Sequence, residues 1–300
     1  MIASARHRWQ ETLIATLKGT PGAVEGTAGA AAWSRIGGNA LSSVWSLALP
    51  PARFFVKVAD RAHEDMLAAE VQALRAIAQT GAIRVPQVYA SGHDEDGAFL
   101  AIEWLDIVDG GRGESLGRGL AKLHQATAPR FGWHRDNTIG TTLQLNAWSA
   151  DWTAFFRDRR LAPQLELAGR NDCCGRLRIE GDKLLAAVPR ILDGHRPAAS
   201  LLHGDLWAGN AGQLSDGTPL VYDPASYYGD READLAMTEL FGGFSPAFYR
   251  AYEEANPLPP GHAVRRTLYN LYHVLNHLNL FGASYQPKAE SMVAELLAVR

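Results

Sequence analysis

The sequence predicts an α+β protein with two lobes: a small N-terminal lobe of antiparallel β-sheet plus helix, and a larger, mostly α-helical C-terminal lobe. Short apolar segments typical of strands concentrate in residues 1–105, whereas amphipathic segments of helical period dominate residues 106–300. The polar, glycine-rich residues 106–112 lie between them and mark the predicted boundary. At 300 residues the chain is long enough for two such lobes.

The N-terminal lobe is predicted to open with a helix at residues 4–18, where Trp9, Leu13 and Leu17 share one face. Its further predicted elements are strands at 44–49 and 53–58 joined at a Pro50-Pro51 turn, a helix at 62–79, and strands at 85–89 and 98–105.

Gly37 and Gly38 precede the first pair of strands. Glycine has no Cβ and tolerates positive φ, so this pair allows the backbone to fold closely over a ligand and to offer N–H groups to phosphates. An ordinary hairpin turn is the alternative interpretation. Glu103 and Leu105 end the last strand of the lobe, and we expect this connector to bind an adenine ring through its main chain.

Lys57 and Glu70 are charged residues inside apolar patterns, the first in a strand and the second on the core face of the next helix. A buried ammonium group is costly unless it is paired, so the two side chains are predicted to form an ion pair. Kinases use such a pair to orient the lysine toward nucleotide phosphates. The alternative is a lysine that extends its head to solvent and a glutamate at the edge of the apolar stripe.

The C-terminal lobe contains a loop motif whose residue types can take part in catalysis. His203, Asp205 and Asn210 match the pattern H-x-D-x-x-x-x-N, in which the Asp accepts the proton of an attacking hydroxyl and the Asn holds magnesium. Asp223 ends a short apolar strand soon afterwards, as does the kinase Asp that ligates Mg²⁺. The alternative is that Asp205 and Asn210 are ordinary turn formers.

A second segment, His134-Arg135-Asp136, spells the protein-kinase triplet literally. Thr141 stands where the pattern needs Asn, and no apolar strand ending in Asp follows at a suitable distance. We therefore predict a polar loop there.

The rest of the C-terminal lobe is predicted to be helical. Asp230 is predicted to cap the helix that follows it, and Asp234 either joins this cap or bonds the loop at 203–210. The helices are predicted at residues 113–127, 148–168, 175–193, 230–242, 245–255, 261–282 and 286–299.

A polar stripe of Tyr269, His273, Asn276 and His277 runs along the helix at 261–282. It either lines a substrate cleft or is a solvated helix face. His273 and His277 have a spacing that can bind zinc, but no third ligand is evident, so no zinc site is predicted.

The composition excludes several classes of protein. A hydrophobic content of 47%, a charged content of 20% and a net charge of -3 are typical of a soluble globular protein and not of a nucleic-acid binder. No apolar run reaches the ~20 residues of a membrane span, and no membrane partner is expected. The adjacent Cys173 and Cys174 cannot join distant segments, which favours a reduced, cytoplasmic setting.

Several strings make the chain resemble the fructosamine/ketosamine kinase family, whose members are relatives of the aminoglycoside phosphotransferases. The tryptophan inside the loop motif, Trp207, is the most specific mark, and a departure lies at 39–42, where the usual phosphate-loop pattern is replaced. The family-like strings are residues 159–161, 203–210, 223–232, 241–244 and 271–282.

The resemblance implies a protein-kinase-like fold and ATP-dependent phosphorylation of the 3-hydroxyl of ketoamines, free or protein-bound, which destabilises them and releases the amine. It implies ATP and Mg²⁺, with Mn²⁺ as a substitute, and a monomer or weak dimer is expected. By resemblance, Asp205 is the base, Asn210 and Asp223 hold the metal, and Lys57 anchors phosphate with the help of Glu70. The predicted substrate residues are Trp207, Tyr227, His273 and His277.

Two alternatives remain from the sequence. A kinase for an aminoglycoside or polyol shares the motif, although a polycationic substrate favours a more acidic site than Tyr227 and the last long helix offer. A nucleotide-binding pseudokinase is the other, although such proteins usually lose one member of the set formed by Lys57, Glu70, Asp205, Asn210 and Asp223.

Overall fold

The computed structural model describes residues 8–23, 30–38, 42–171 and 175–299. Residues 4–7 of the first predicted helix, residues 39–41 of the glycine-containing loop, and Cys173 and Cys174 lie outside the described residues. Within the described ranges, no helix combines the length and the apolar character that a membrane crossing requires.

Five strands of the described N-terminal region form one antiparallel sheet in the order β1-β2-β3-β5-β4. Lys57 lies on the central strand β3, opposite Val44 of β2 and Leu100 of β5. The strands are β1 (Ala32–Gly38), β2 (Ser42–Leu49), β3 (Ala52–Ala59), β4 (Val88–His93) and β5 (Ala98–Glu103).

Two helices, α1 (Arg8–Lys18) and α2 (Glu64–Thr80), cover the two faces of this sheet. Side chains alternate between faces along a strand, so Val56 and Val58 pack with α1 while Lys57 points to the opposite side. Burial of each large apolar side chain in these layers contributes about 1.5–3 kcal/mol. The alternation therefore directs Lys57 toward α2.

The C-terminal region is largely helical, which together with the sheet confirms the predicted α+β class. Its helices are α3 (Glu114–Leu123), α4 (Trp152–Phe156), α5 (Ala162–Arg170), α6 (Gly175–Ile191), α7 (Glu232–Leu240), α8 (Pro246–Ala255), α9 (His262–Phe281) and α10 (Gln286–Ala298).

Short strand pairs support the loops between these helices. The pairs β7–β8 and β10–β11 are antiparallel hairpins, and β9 pairs with both β6 and β12. These strands are β6 (Thr127–Ala128), β7 (Asn137–Ile139), β8 (Thr142–Gln144), β9 (Ala199–Leu201), β10 (Ala211–Gln213), β11 (Pro219–Val221) and β12 (Tyr228–Gly229).

Several elements differ from the sequence prediction. The strands β1, β6, β7, β8 and β12 were not predicted, β4 begins at Val88 instead of residue 85, and β5 ends at Glu103 instead of residue 105. The helix predicted at 148–168 begins at Trp152 and is divided by a π-helical turn at Arg157–Leu161. The π turn brings Arg160 fully into the core. The lobe boundary between residues 105 and 106 stays a prediction.

Candidate active site

The loop motif at 203–210 connects β9 to β10 and is held in place by α7. The Asp234 carboxylate accepts hydrogen bonds from the main-chain N–H of His203 (2.7 Å) and Gly204 (2.9 Å). Gly204 has φ +86°, and a Cβ there would lie 2.1 Å from the carbonyl oxygen of Ala225, so only glycine fits. Of the two roles considered for Asp234, the structure therefore has the bond to the loop.

Asp230, the predicted cap, lies one residue before the helix N-cap Arg231. Its Oδ1 accepts the N–H of Glu232 at 3.1 Å, and its Oδ2 is bonded by His195 and Tyr269. The carboxylate thus caps the first turn and also ties α7 to α9.

His203 is a buried neutral anchor of the loop. Burial lowers the pKa of its imidazole, and the negative charge of the nearby Asp234 opposes this shift only in part. Its Nε2 donates to the carbonyl oxygen of Tyr222 at 3.0 Å, and its Nδ1 accepts the N–H of Asp205 at 3.3 Å. His203 thus connects the loop motif to the strand that leads to Asp223.

Asp205 and Asn210 meet across the loop. The Asn210 Nδ2 donates to the main-chain oxygen of Asp205 at 2.9 Å and to its Oδ2 at 3.1 Å. Burial raises the pKa of Asp205 to about 7, although the bond from Asn210 opposes the shift. Asp205 therefore holds a proton more tightly than an aspartate in water does, as suits a general base.

Asp223 follows β11 in a left-handed conformation, with φ 56°, which Asp tolerates better than most residues. Hydrogen bonds on both sides fix it beside the loop motif, from Tyr222 N–H to Asn210 O (3.1 Å) and from Ala225 N–H to His203 O (2.9 Å). Its carboxylate is thereby aimed across the cleft at the N-terminal sheet.

The ion pair predicted from the sequence is present. The Lys57 Nζ lies 2.8 and 2.9 Å from the two carboxylate oxygens of Glu70 and 2.8 Å from Asp223 Oδ1. Burial alone would lower the pKa of Lys57, but the two carboxylates raise it above its ordinary value. Lys57 is therefore a permanent cation that joins the sheet, α2 and the segment after β11.

These groups border one cavity of about 360 Å³. It lies between the N-terminal sheet with α2 on one side and the loop motif on the other. Its polar and aromatic lining includes Gly38, Lys57, Glu70, Asp205, Trp207, Asn210 and Asp223. The structure thus brings together the predicted base, both predicted metal ligands, the lysine–glutamate pair and one of the two predicted glycines.

A second cavity of about 460 Å³ lies along the predicted connector. Glu103 and Leu105 both line it, and Asp223 borders it as well as the first cavity. The Glu103 carboxylate is engaged by Arg84 at 2.5 Å and by the N–H of Gln87 at 3.1 Å. The side chain therefore stabilises the connector. The main chain also takes part, because the Glu103 N–H donates to the carbonyl oxygen of Gln87 at 2.8 Å and the Leu105 carbonyl oxygen accepts the N–H of Ile107 at 3.0 Å.

The predicted substrate residues separate into two groups. Trp207 lines the first cavity and is 38% exposed. Tyr227 and His273 are only 3% and 4% exposed and do not line that cavity. Tyr227 packs under the Arg160 guanidinium, whose carbon lies 4.0 Å from the ring centroid.

The polar stripe of α9 is not a solvated face, because Tyr269, His273 and Asn276 are buried. His277 is half-buried, and its Nδ1 lies 2.8 Å from the carbonyl oxygen of His273. Burial lowers the pKa of His277, so its imidazole is neutral near pH 7.

The hairpin β7–β8 is part of the cavity wall that the sequence did not indicate. Asn137, Thr138, Gly140 and Thr141 also line the cavity. The Asn137 Nδ2 donates to the carbonyl oxygen of Ser226 at 3.0 Å, which anchors the hairpin to the segment after Asp223. Three-residue strands carry no readable periodicity, although the hairpin directly follows the His134-Arg135-Asp136 loop, which was predicted correctly.

Asn210 and Asp223 fit a hard divalent cation. Among the described residues, no donor bonds the Asn210 Oδ1, because the amide uses its Nδ2 for Asp205. The Asp223 carboxylate is half-exposed to the cleft, and only its Oδ1 contacts Lys57. Amide and carboxylate oxygens are the ligands that Mg²⁺ prefers.

A family model described as fructosamine kinase matches residues 19–299. A probable ketoamine kinase of Synechocystis is 42% identical over 270 residues, which are 88% of this chain and 90% of that protein. A chloroplastic protein-ribulosamine 3-kinase of Oryza sativa subsp. indica is 38% identical over 268 residues, 88% of this chain and 78% of that protein.

Solved structures show the same fold. A candidate fructosamine-3-kinase from Haemophilus somnus superimposes with a TM-score of 0.86 and 27% identity, covering 97% of this chain and all of that one. The aminoglycoside phosphotransferase APH(4)-Ia, in a ternary complex with AMP-PNP and hygromycin B, gives a TM-score of 0.63 at 14% identity, with 90% and 95% coverage. The second likeness shows the kinase-like fold alone.

Proposed function

The chain belongs to the fructosamine kinase family, and on that premise we propose that it transfers the γ-phosphoryl group of ATP to the 3-hydroxyl of a ketoamine. The observation that carries the proposal is the single cavity onto which Lys57, Asp205, Asn210 and Asp223 open together. These are the groups that phosphoryl transfer needs, namely a base, metal ligands and a cation for phosphate.

Asp205 is proposed to accept the proton of the acceptor hydroxyl. Its raised pKa makes the carboxylate a stronger base than a solvated one, and the Asn210 Nδ2 orients it from 3.1 Å away. The hydroxyl oxygen gains nucleophilic character as the proton moves to Asp205. Phosphoryl transfer involves little covalent chemistry by the protein, so this positioning is a large part of the catalysis.

Lys57 is proposed to bind the nucleotide phosphates. Glu70 holds the ammonium group from α2 with two short contacts, which restricts the rotamers of a long side chain. A fixed cation beside the transferred group stabilises the charge that spreads over its oxygens. The nucleotide base is proposed to occupy the second cavity, which Glu103 and Leu105 line.

Asn210 and Asp223 are proposed to hold Mg²⁺. When bound, this ion would neutralise phosphate charge and help to align the transferred group. The two residues are connected through the main-chain bond from Tyr222 N–H to Asn210 O, so the loop motif positions both of them.

Trp207 is proposed to pack against the sugar chain of the acceptor. It is two residues after Asp205 and lines the same cavity. The ring rests on Gly209, where a Cβ would lie 2.3 Å from the indole. An aromatic face is a suitable surface for the C–H groups of a sugar.

An aminoglycoside is a weaker candidate for the acceptor. Among the described residues, the carboxylates that line the cavity are those of Glu70, Asp205 and Asp223, and Lys57 already engages two of them. A polycationic substrate would find few free anions there.

ATP turnover with three acceptors in parallel tests the proposal: the ribulosamine and the fructosamine of N-acetyl-lysine, and kanamycin. We expect a phosphate ester on a ketoamine, detected by ³¹P NMR, and none on kanamycin. EDTA should stop the reaction and added Mg²⁺ restore it. Turnover of kanamycin alone would replace the proposal with aminoglycoside phosphorylation, and nucleotide binding without any turnover would favour a pseudokinase.

A further inference from the structure

Five aromatic rings form a continuous surface that begins in the cavity. The Trp207 ring lies 6.1 Å from that of Phe241, and Phe241 lies 4.9 Å from His277. His277 in turn lies 5.3 Å from Phe281 and 5.2 Å from Tyr285. We call these five residues the aromatic strip.

The inner end of the aromatic strip is rigidly built. Phe241 begins the Phe241-Gly242-Gly243-Phe244 segment, and the carbonyl oxygen of Gly243 accepts a hydrogen bond from the Arg112 Nε at 3.0 Å. Gly243 has φ +97°, and a Cβ there would lie 2.6 Å from the Cβ of Ala208 in the loop motif. The segment is therefore packed directly on the loop motif, which fixes Phe241 beside Trp207.

The outer end of the aromatic strip is a surface feature. Phe281 is the last residue of α9, is 65% exposed and does not line the cavity. Phe241 is also exposed, and the strip carries no charged ring because His277 is held neutral by burial. Contiguous exposed aromatic surface on a soluble fold is typical of a binding site.

A ketoamine has two parts, the sugar chain that carries the acceptor hydroxyl and the substituent on the amine nitrogen. Trp207 stands where the first part must lie, so the second part leaves the cavity along the rings that follow. We infer that the aromatic strip binds the amine portion of the substrate, and that this portion is a peptide with apolar side chains next to a glycated lysine. This inference rests on the proposed function and adds the class of amine to it.

The length of the aromatic strip favours a peptide over a free amino acid. Its three successive ring-to-ring steps are 6.1, 4.9 and 5.3 Å. An extended chain advances ~3.3 Å per residue, so at most about five residues cover them. A single amino acid attached to the sugar is too short to follow all three steps.

Two glycated pentapeptides test the inference, with the sequences Gly-Leu-Lys-Phe-Gly and Gly-Gly-Lys-Gly-Gly and ribose on the lysine. The measured quantity is the ratio of their kcat/KM values, apolar over glycine. We expect a ratio above one for the wild-type protein. Phe281→Ser should lower it roughly three- to tenfold, the scale of one aromatic contact. Phe281→Tyr, which keeps the ring, should preserve it.

Ile179→Ser is the matched control, because Ile179 is also 65% exposed but lies on α6. It should leave the ratio unchanged. A wild-type ratio of one, or a ratio that Phe281→Ser leaves unaltered, overturns the inference. So does a change of molecular mass in sedimentation when Phe281 is replaced, since the strip would then contact a second copy of the chain.

Glycated N-acetyl-lysine distinguishes a failure of the inference about the aromatic strip from a failure of the proposed function. If it is phosphorylated while the two peptides have equal kcat/KM values, only the inference about the aromatic strip is wrong. If neither it nor the glycated peptides are phosphorylated, the proposed function is wrong and the inference falls with it.

Discussion

Replacement of His273 by glutamine distinguishes a core histidine from a substrate contact. His273 is 4% exposed on α9, and its Nδ1 has no partner among the described residues. Burial lowers the pKa of its imidazole to about 3. His277 and Arg160 act in the same direction and Asp234 opposes them. The imidazole is therefore neutral in the folded protein at any pH near neutrality.

The lowered pKa predicts a loss of stability in acid. Between about pH 6.5 and pH 3 the unfolded state binds a proton at His273 that the folded state does not. The penalty is absent above pH 6.5 and grows as the pH falls, at about 1.4 kcal/mol per pH unit. From pH 7.5 to pH 5.0, His273 should therefore remove about 2 kcal/mol from the free energy of unfolding.

Urea unfolding followed by tryptophan fluorescence at pH 7.5 and pH 5.0 measures this effect. The wild-type protein should lose about 2 kcal/mol more than His273→Gln between the two pH values. Other titrating groups contribute equally to both proteins, including His203, whose pKa is also lowered by burial. The KM for the ketoamine should change little, because His273 does not line the cavity.

Equal losses in the two proteins would refute this reasoning, since His273 would then be protonated in the folded state. A raised KM of His273→Gln for the ketoamine, with the same pH dependence of the unfolding free energy as wild type, would instead indicate that His273 contacts the substrate.

Three further substitutions test the site. Lys57→Met should lower kcat/KM for ATP on the order of 100-fold, the scale of removing one electrostatic contact to the reacting group, with the far-UV spectrum as a control for folding. Asp234→Asn should cost about 2–3 kcal/mol in urea unfolding, because it weakens two charge-assisted bonds to the loop motif, and an unchanged midpoint would contradict that role. Trp207→Ala should reduce kcat/KM for the ketoamine by the equivalent of about 1–3 kcal/mol while the KM for ATP moves much less. Equal damage to both substrates, with a lower Tm, would make Trp207 a packing residue.

The ion pair of Lys57 and Glu70 could be predicted because local patterns placed both charges inside apolar faces. A strand period and a helix period direct each side chain inward, and the cost of a buried charge then demands a partner. Asp205 and Asn210 were likewise predictable from their spacing within one loop. These features depend on short segments whose geometry is nearly independent of the rest of the chain.

Features that depend on distant packing were not predictable. Strand β1 is exposed along almost its whole length and rich in small residues, so it has no apolar alternation to read. Tyr227 was predicted to contact substrate, yet it is buried because the Arg160 guanidinium covers its ring. Arg160 belongs to the π turn at Arg157–Leu161, which no sequence period indicates.

Phosphoryl transfer by Asp205→Asn measures whether Asp205 is the catalytic base, with Asp216→Asn as the matched control. Asp216 is an exposed aspartate in the turn between β10 and β11, so its replacement leaves the cavity untouched. With ATP, Mg²⁺ and the ribulosamine of N-acetyl-lysine, the Asp205 variant should form the phosphate ester at least ~10²-fold more slowly than wild type, without a lower Tm. The Asp216 variant should match wild type. Ester formation at the wild-type rate by Asp205→Asn would contradict the assignment of the base and, with it, the proposed mechanism.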